Sequence, residues 1–238
     1  MPDILYIVRP GDDNDELRYS LRSLTNLPHG RVWIAGHKPA WLTNVEHIPT
    51  TQPGSKHENA TLNLRAALTH PDIPARLVLF NDDFFVMQPT AEMPVLHAGP
   101  LKAFCTAYAM AHMPNAHSTA MRDSIDMLAR LGLDRPLTYS IHYPMPIDTA
   151  GMLDTLDRIN AERKHIGARA HRLHRRSIYG NLHNIGGQYV ASDCKVSDRE
   201  PRDYTDQPFL STNDASFRTG PVGEHMRAVF PDPSPYET

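Results

Sequence analysis

The sequence has little cysteine, and this scarcity excludes two kinds of small, cross-linked scaffold. Cys105 and Cys194 are the only cysteines in 238 residues, and they form no C-x-x-C pair. A disulfide framework and a structural zinc site both need several cysteines at short spacings. Neither is expected here.

Long apolar runs and an excess of one charge are also absent. No apolar stretch approaches the ~20 residues that a helix needs to cross a bilayer. The start, Met1-Pro2-Asp3-Ile4, lacks the basic stretch and apolar run of a signal peptide. The formal net charge of -3 creates no field that would attract nucleic acid or an anionic membrane. We therefore expect a cytoplasmic protein with no membrane span and no nucleic-acid partner.

The remaining composition is typical of a globular protein. Hydrophobic residues make up 40% of the chain and charged residues 21%, a balance that disordered chains do not show. No internal repeat or long low-complexity linker divides the sequence, and its length suffices for one substantial core. We predict a single domain over residues 1–238.

Strand and helix patterns alternate in the first half of the chain. Short apolar runs bounded by turn residues predict buried strands at 3–8, 31–35 and 77–80. Helical patterns lie between them, one with Leu17, Leu21 and Leu24 on one face, and another over 56–70. This alternation predicts an α/β fold with a mostly parallel sheet flanked by helices.

The second half is less regular and more helical. An amphipathic pattern over 119–131 ends at Gly132, which is a typical residue after a helix C-terminus. Asp148 is a candidate cap for a following helix, and a last short helix is expected over 222–230. We expect the segment of about 97–187 to form a helical flank over the site, on its acceptor and phosphate side.

The strongest chemical signal is Asn81-Asp82-Asp83, which directly follows the apolar run at 77–80. Ligands of open α/β sheets gather beyond the carboxyl ends of the strands. Two carboxylates in that position suit Mg²⁺ or Mn²⁺, and such ions commonly bridge to substrate phosphates. The motif predicts a metal site, with a polar turn as the alternative.

Three further segments are candidates for the same site. Asp214 in Thr212-Asn213-Asp214 either adds a metal ligand or belongs to a capped helix start. His142 in Ile141-His142-Tyr143-Pro144 is either a general base for an acceptor hydroxyl or a packed loop residue. The basic run over 158–176 is either a phosphate clamp or a solvated helix face.

Several blocks of the sequence occur in an order that a known family shares. These blocks are residues 14–24, 38–42, 57–59, 80–85, 142–144, 213–214 and the ending 229–237. Together they resemble the conserved regions of the Stealth family of sugar-phosphate transferases. That family includes bacterial capsule polymerases and the GlcNAc-1-phosphotransferase that builds the lysosomal mannose-6-phosphate tag. The resemblance spans most of the chain, but Val8-Arg9-Pro10-Gly11-Asp12 replaces the family's Trp-Val-Asp/Asn-Gly turn.

The resemblance implies a GT-A-like (Rossmann-like) fold and a nucleotide-sugar donor, with a UDP-sugar favoured. It implies a divalent ion, Mg²⁺ or Mn²⁺, held by Asp82 or Asp83 together with Asp214. It assigns catalytic roles to His142, Arg122 and Asp83. The candidate donor contacts are Arg9, Gly11, Arg18, Arg22, Lys38, Asn59, Asn81, Asn213 and Arg175.

The sequence leaves more than one reaction open. The first interpretation is transfer of a sugar-1-phosphate to a hydroxyl of a glycan or protein acceptor, with release of a nucleoside monophosphate. The second is ordinary glycosyl transfer, in which a nucleoside diphosphate leaves. A metal-dependent phosphodiester hydrolase and a non-catalytic nucleotide- or glycan-binding module are further alternatives.

Overall fold

The computed structural model describes residues 1–11, 13–198 and 200–238, so Asp12 of the motif above lies outside the described residues. Its strands are β1 (Asp3–Val8), β2 (Val32–Gly36), β3 (Glu46–Ile48), β4 (Arg76–Asn81), β5 (Phe84–Val86), β6 (Leu96–His97), β7 (Met145–Asp148), β8 (Gln188–Tyr189) and β9 (Phe209–Ser211). Its α-helices are α1 (Asp15–Ser23), α2 (Lys56–Leu68), α3 (Leu101–Ala111), α4 (Ala116–Arg130), α5 (Thr149–Ala161), α6 (Arg163–Ile166), α7 (Arg175–Leu182), α8 (Asp214–Thr219) and α9 (Pro221–Val229). Two 3₁₀ helices follow α1 and α6, at Leu24–Asn26 and Gly167–Arg172.

A five-stranded sheet in the order β3-β2-β1-β4-β7 forms the centre of the protein. Its first four strands run parallel, and β7 is antiparallel to β4. Two small sheets, β5 with β9 and β6 with β8, lie outside it. The expected α/β class with a mostly parallel, helix-flanked sheet is therefore confirmed.

The sheet is buried on both faces because its central strands are apolar at almost every position. In β1, Ile4, Tyr6 and Val8 face a core shared with α1, and Leu5 faces a second core shared with α2 and α5. Continuous apolar strands of this kind are typical of parallel sheets covered by helices. The strands predicted at 3–8, 31–35 and 77–80 correspond to β1, β2 and β4 within one residue at each end.

The middle segment is mostly helical but also supplies β7 at the edge of the main sheet. This strand was not predicted. The helix capped by Asp148 is confirmed as α5, where the Asp148 side chain accepts a hydrogen bond from the backbone N–H of Gly151 at 2.8 Å. The predicted helix at 119–131 is confirmed as α4, which starts three residues earlier. In the described part of the chain, no helix has both the length and the apolar composition needed to cross a bilayer.

The last residues of the chain fold back onto α1. Nε and Nη2 of Arg22 each donate to one carboxylate oxygen of Glu237 at 2.8 Å, and Nη1 donates to the backbone carbonyls of Phe230 and Pro231. The side chains of Arg22 and Glu237 are only 10% and 6% exposed. Burial opposes ionisation of Glu237, but the bonds from Arg22 outweigh it and lower the pKa of that carboxyl. The pair fixes residues 230–237 against α1.

Replacing Glu237 with glutamine is expected to lower the free energy of unfolding by about 2 kcal/mol, because Arg22 would be left buried without a counter-charge. Chemical denaturation of wild type, Glu237→Gln and the exposed control Asp232→Asn measures the effect. Because folding lowers the carboxyl pKa below its usual 4.5, the stabilisation is complete above pH 4.5 and is lost as the pH falls below that value. A difference between wild type and Glu237→Gln that persists unchanged into acid would contradict this account.

Candidate functional site

The carboxyl ends of β1 and β4 bring the first candidates together. The two strands are parallel neighbours, with Ile7 paired to Asn81, so the residues that follow each strand emerge at the same edge. Arg9 therefore lies beside Asp82 and Asp83. This is the edge at which open α/β sheets bind ligands.

His142 reaches the same edge because β7 is antiparallel. An antiparallel strand begins where its parallel neighbour ends, and Met145 at the start of β7 pairs with Leu79 near the end of β4. His142 precedes Met145 by three residues and thus lies near Asn81. The ring of Phe84 stands edge-on to the His142 ring, with 6.4 Å between centroids.

Asp214 is brought in by the pairing of β5 with β9. The backbone N–H of Thr212 donates to the carbonyl of Asp83 at 3.2 Å, which ties the end of β9 to the Asp82-Asp83 turn. Asn213 then caps α8 by accepting from the backbone N–H of Ser216 at 2.9 Å. The capped helix start is therefore confirmed, and it places Asp214 within 2.9 Å of the Arg9 guanidinium.

Two adjoining cavities open at this edge. The larger, about 680 Å³, is here called the carboxylate cavity because Glu16, Asp82, Asp83 and Asp214 line it. The second, about 400 Å³, is called the histidine cavity and is lined by His57, His117, His142, His171 and His174. The wall between them is shared and consists of His57, Asn81, Arg175 and Arg176.

Burial and mutual repulsion perturb the carboxylates. Burial, with the charge of Asp83 added, raises the pKa of Asp82 to about 6. Burial also raises the pKa of Glu16, which therefore holds its proton more tightly than an exposed glutamate does. Partial burial of Asp214 is outweighed by a hydrogen bond from Glu16 and by the charge of Arg9, so its pKa is lowered. The cluster thus resists carrying its full negative charge, and a cation bound there would favour the ionised carboxylates.

A divalent cation fits this chemistry. Oδ1 of Asp83 is buried and has no hydrogen-bond partner among the described residues, while Oδ2 lies 3.5 Å from Nζ of Lys195. No three His, Cys, Asp or Glu side chains of the described residues are arranged to hold a metal ion by themselves. Mg²⁺ is commonly bound through only one or two carboxylates, with water and substrate phosphates as the other ligands. Asp82 and Asp83 therefore suit a metal that binds with the substrate.

His142 and Asp193 form a hydrogen-bonded dyad on the histidine-cavity side. Nδ1 of His142 lies 2.6 Å from Oδ2 of Asp193, whose Oδ1 accepts from the backbone N–H of His142 at 3.0 Å. Burial opposes ionisation of Asp193, but the bonds from His142 outweigh it and lower the pKa of Asp193. A carboxylate only accepts hydrogen bonds, so in the neutral ring Nδ1 carries the proton and Nε2 presents its lone pair. This is the arrangement required of a general base.

Two arginines at the start of α7 separate the cavities. The guanidinium of Arg176 is buried and donates to Oδ1 of Asn81 at 3.1 Å and to the carbonyl of Tyr143 at 2.8 Å. Arg175 donates to Oγ1 of Thr61 at 3.1 Å. Burial lowers the pKa of each to about 10, and both stay charged at neutral pH. Their hydrogen-bond partners are neutral, so their charge is available to a phosphate in either cavity.

Most predicted site residues are brought to these cavities, and four are not. Arg9, Asn59, Asn81, Asp82, Asp83, Arg175, Asn213 and Asp214 line the carboxylate cavity, Gly11 lines a smaller cavity beside it, and His142 lines the histidine cavity. The side chain of Asn59 is occupied in holding the turn at Gly54, to which it both donates and accepts at 2.8 Å.

Arg18, Arg22, Lys38 and Arg122 do not line any of these three cavities. Arg22 is bound to Glu237, and Arg18 lies 3.8 Å from the same carboxylate with its guanidinium 4.6 Å from the Trp41 ring centroid. Lys38 and Arg122 are exposed outside the lining of these cavities. The donor and phosphate contacts expected of these four residues therefore form no part of the function proposed below.

Sequence reasoning missed Asp193, Glu16 and Arg176. Asp193 lies 51 residues from His142 in the sequence, and no pattern links the two. Glu16 lies within the block 14–24 that resembles the family, but nothing in the sequence marks it as a residue of the site. Arg176 belongs to the predicted basic run, in which only Arg175 was singled out.

No protein-family model matches the chain, and no curated protein matches it. Function is therefore inferred from the residues of the two cavities and from the sequence blocks that resemble the Stealth family.

Proposed function

We propose that the protein is a metal-dependent transferase of the Stealth type, with a GT-A-like fold. It moves a sugar-1-phosphate from a nucleotide-diphosphate sugar, preferably a UDP-sugar, to a hydroxyl of a glycan or protein acceptor. The observation that carries this proposal is the meeting of two kinds of group at one sheet edge. One is the carboxylate pair Asp82 and Asp83, which suits a cation, and the other is the general-base dyad of His142 and Asp193. They lie on opposite sides of the wall that the two cavities share, to which Arg175 and Arg176 belong.

Each cavity suits one substrate. A nucleotide diphosphate needs cationic partners, and Arg9, Lys56, Arg175, Arg176 and Lys195 all line the carboxylate cavity. A bound Mg²⁺ or Mn²⁺ held by Asp82 or Asp83 would offset phosphoryl charge there. The acceptor hydroxyl must reach Nε2 of His142, and His142 lines only the histidine cavity among the cavities described here. The donor is therefore assigned to the first cavity and the acceptor to the second.

The proposed reaction is a single displacement at phosphorus. The acceptor hydroxyl transfers its proton to Nε2 of His142 while its oxygen forms a bond to the β-phosphorus. The bond from the β-phosphorus to the oxygen that bridges to the α-phosphorus breaks, and the nucleoside monophosphate leaves with that bond's electron pair. Asp193 stabilises the imidazolium that forms, and Arg175 and Arg176 stabilise charge on the phosphoryl oxygens.

The released nucleotide distinguishes the candidate reactions. The protein is incubated with Mn²⁺, a panel of UDP-, GDP- and CMP-sugars and a mixture of glycan acceptors, and the products are identified by mass. Acceptor-dependent release of UMP or GMP from a UDP- or GDP-sugar is the expected result. A CMP-sugar has no β-phosphorus and releases CMP by ordinary glycosyl transfer, so CMP from that donor would count against the proposal. Release of the diphosphate would replace the proposal with ordinary glycosyl transfer, and turnover without an acceptor would favour hydrolysis. No release from any donor would favour a binding module.

A further inference from the structure

The histidine cavity is unusual in its charge. Its lining contains Arg172, Arg175 and Arg176 but neither aspartate nor glutamate. Asp193 and Glu58 do not belong to this lining: Asp193 binds His142, and Glu58 lies 3.8 Å from Nδ1 of His171. Asp83 acts on Arg176 from the carboxylate cavity. The cavity therefore presents positive charge and imidazole nitrogens to whatever enters it.

None of the three arginines forms an ion pair with a carboxylate in the part of the chain that the structure describes. Other arginines of the same basic run are neutralised, since Arg158 pairs with Asp154 at 2.8 Å and Arg169 with Asp123 at 3.0 Å. Arg158 and Arg169 are thus paired at the surface, whereas the three arginines at the cavity carry charge that no carboxylate of the described residues pairs with. Unpaired guanidinium groups in a partly enclosed site favour an oxyanion.

An unsatisfied histidine nitrogen points to the same ligand. His174 is only 8% exposed, and its Nδ1 has no hydrogen-bond partner among the described residues. The ring of His117 packs against it, with 4.8 Å between centroids. Burial, reinforced by nearby positive charge, lowers the pKa of His174 to about 3, so the ring is neutral in the empty cavity. A neutral imidazole with a free nitrogen is able to donate to an oxyanion oxygen from that position.

We propose that the histidine cavity binds an oxyanion group of the acceptor, which makes the acceptor an anionic glycan bearing phosphate or carboxylate close to the accepting hydroxyl. This assignment rests on the proposed function, because the acceptor side is defined by His142. Arg172 and His174 would contact the oxyanion. Both line the histidine cavity and not the carboxylate cavity, and so they report on the acceptor side alone.

The test uses the full chain with ¹⁵N-labelled histidine and inorganic phosphate as the probe, near neutral pH and without donor or metal. Ring signals of His117 and His174 are expected to shift saturably. Arg172→Gln should weaken phosphate binding about tenfold, the loss of one charge-assisted hydrogen bond. Arg163→Gln is the matched control, since Arg163 is exposed and lies outside the cavity, and its affinity should stay within about twofold of wild type. Equal affinities for both variants, or no shift in wild type, would overturn the proposal.

A second set of titrations identifies the source of the oxyanion. A hexose 6-phosphate, a hexuronate and the neutral hexose are compared with the same reporters. Binding of either anionic sugar in preference to the neutral one supports the proposal and names the group, whereas equal binding of all three contradicts it. Donor binding with Mn²⁺ is measured separately by calorimetry. Donor binding without a phosphate response would refute the anionic acceptor alone, and a phosphate response without donor binding would refute the transferase.

Discussion

Replacing Asp193 with asparagine is expected to lower kcat about 10³-fold and to leave donor affinity within about twofold of wild type. The asparagine carbonyl can still accept from the backbone N–H of His142, so the loop geometry is retained. Its amide group, however, faces Nδ1 with a donor instead of an acceptor. The proton of the His142 ring then moves from Nδ1 to Nε2. Nε2 can therefore no longer take the proton of the attacking hydroxyl. Steady-state kinetics and calorimetric donor titration measure the two quantities.

The combination of variants separates this role from a structural one. His142→Ala should lose turnover and keep donor binding, and the double variant should be no slower than His142→Ala alone, because both residues act through the same proton transfer. The thermal midpoint of Asp193→Asn should fall by only a few degrees, because one charge-assisted hydrogen bond is weakened, so the variant is fully folded in the assay. Near-wild-type turnover in Asp193→Asn would remove the dyad from the mechanism. Additive losses in the double variant would show that Asp193 acts elsewhere.

Removing the carboxylate of Asp83 is expected to weaken donor binding in Mn²⁺ by about 10²-fold, because the cation would lose a ligand beside the diphosphate. The same Asp83→Ala change should leave metal-free donor binding equal or slightly stronger, since a negative charge that repels phosphate has gone and Lys195 is released. A loss of donor affinity that occurs in Mn²⁺ but not without metal is the result expected when a metal ligand is removed. Calorimetry of a UDP-sugar with and without Mn²⁺ measures both affinities.

Asp126→Ala provides the control for Asp83→Ala, because Asp126 is an exposed acid on α4 away from both cavities. Its donor affinity should be unchanged under both conditions. Asp82→Ala should resemble Asp83→Ala if the two carboxylates share the ion. Unchanged donor affinity of Asp83→Ala in Mn²⁺ would refute the metal assignment, and equal losses with and without Mn²⁺ would show that the substitution damages the cavity itself.

The sheet was predictable where strands are continuous apolar runs and unpredictable where they are not. Because β1, β2 and β4 are buried on both faces, each is a continuous apolar run that can be recognised in the sequence. The strand β7 has the sequence Met-Pro-Ile-Asp, which is short and contains Pro146. Proline lacks a ladder donor and is tolerated at a sheet edge, the place that β7 occupies. Its pairing depends on β4, which lies more than sixty residues earlier.

Site residues were predictable where they directly follow a strand that can be recognised in the sequence. Asp82 and Asp83 follow a recognisable strand, and the strand end fixes their position. The dyad partner of His142 was not predictable, because Asp193 approaches only through the fold. Motif similarity alone also failed to separate site arginines from structural ones: Arg22 lies in a well-matched block, yet its partner Glu237 is 215 residues away. Such long-range pairs leave no periodic trace in the sequence.

Each cavity contains a buried polar atom that lacks a hydrogen-bond partner among the described residues, and this has a consequence for engineering. These atoms are Oδ1 of Asp83 and Nδ1 of His174, and leaving them without a hydrogen bond costs the folded protein stability. Substrates that satisfy those atoms should raise the melting temperature, because they bind only the folded chain. A screen of random variants for heat resistance alone would therefore enrich apolar replacements at the site. Directed evolution of this protein should select on ligand-induced thermal shift, which rewards stability and an intact site together.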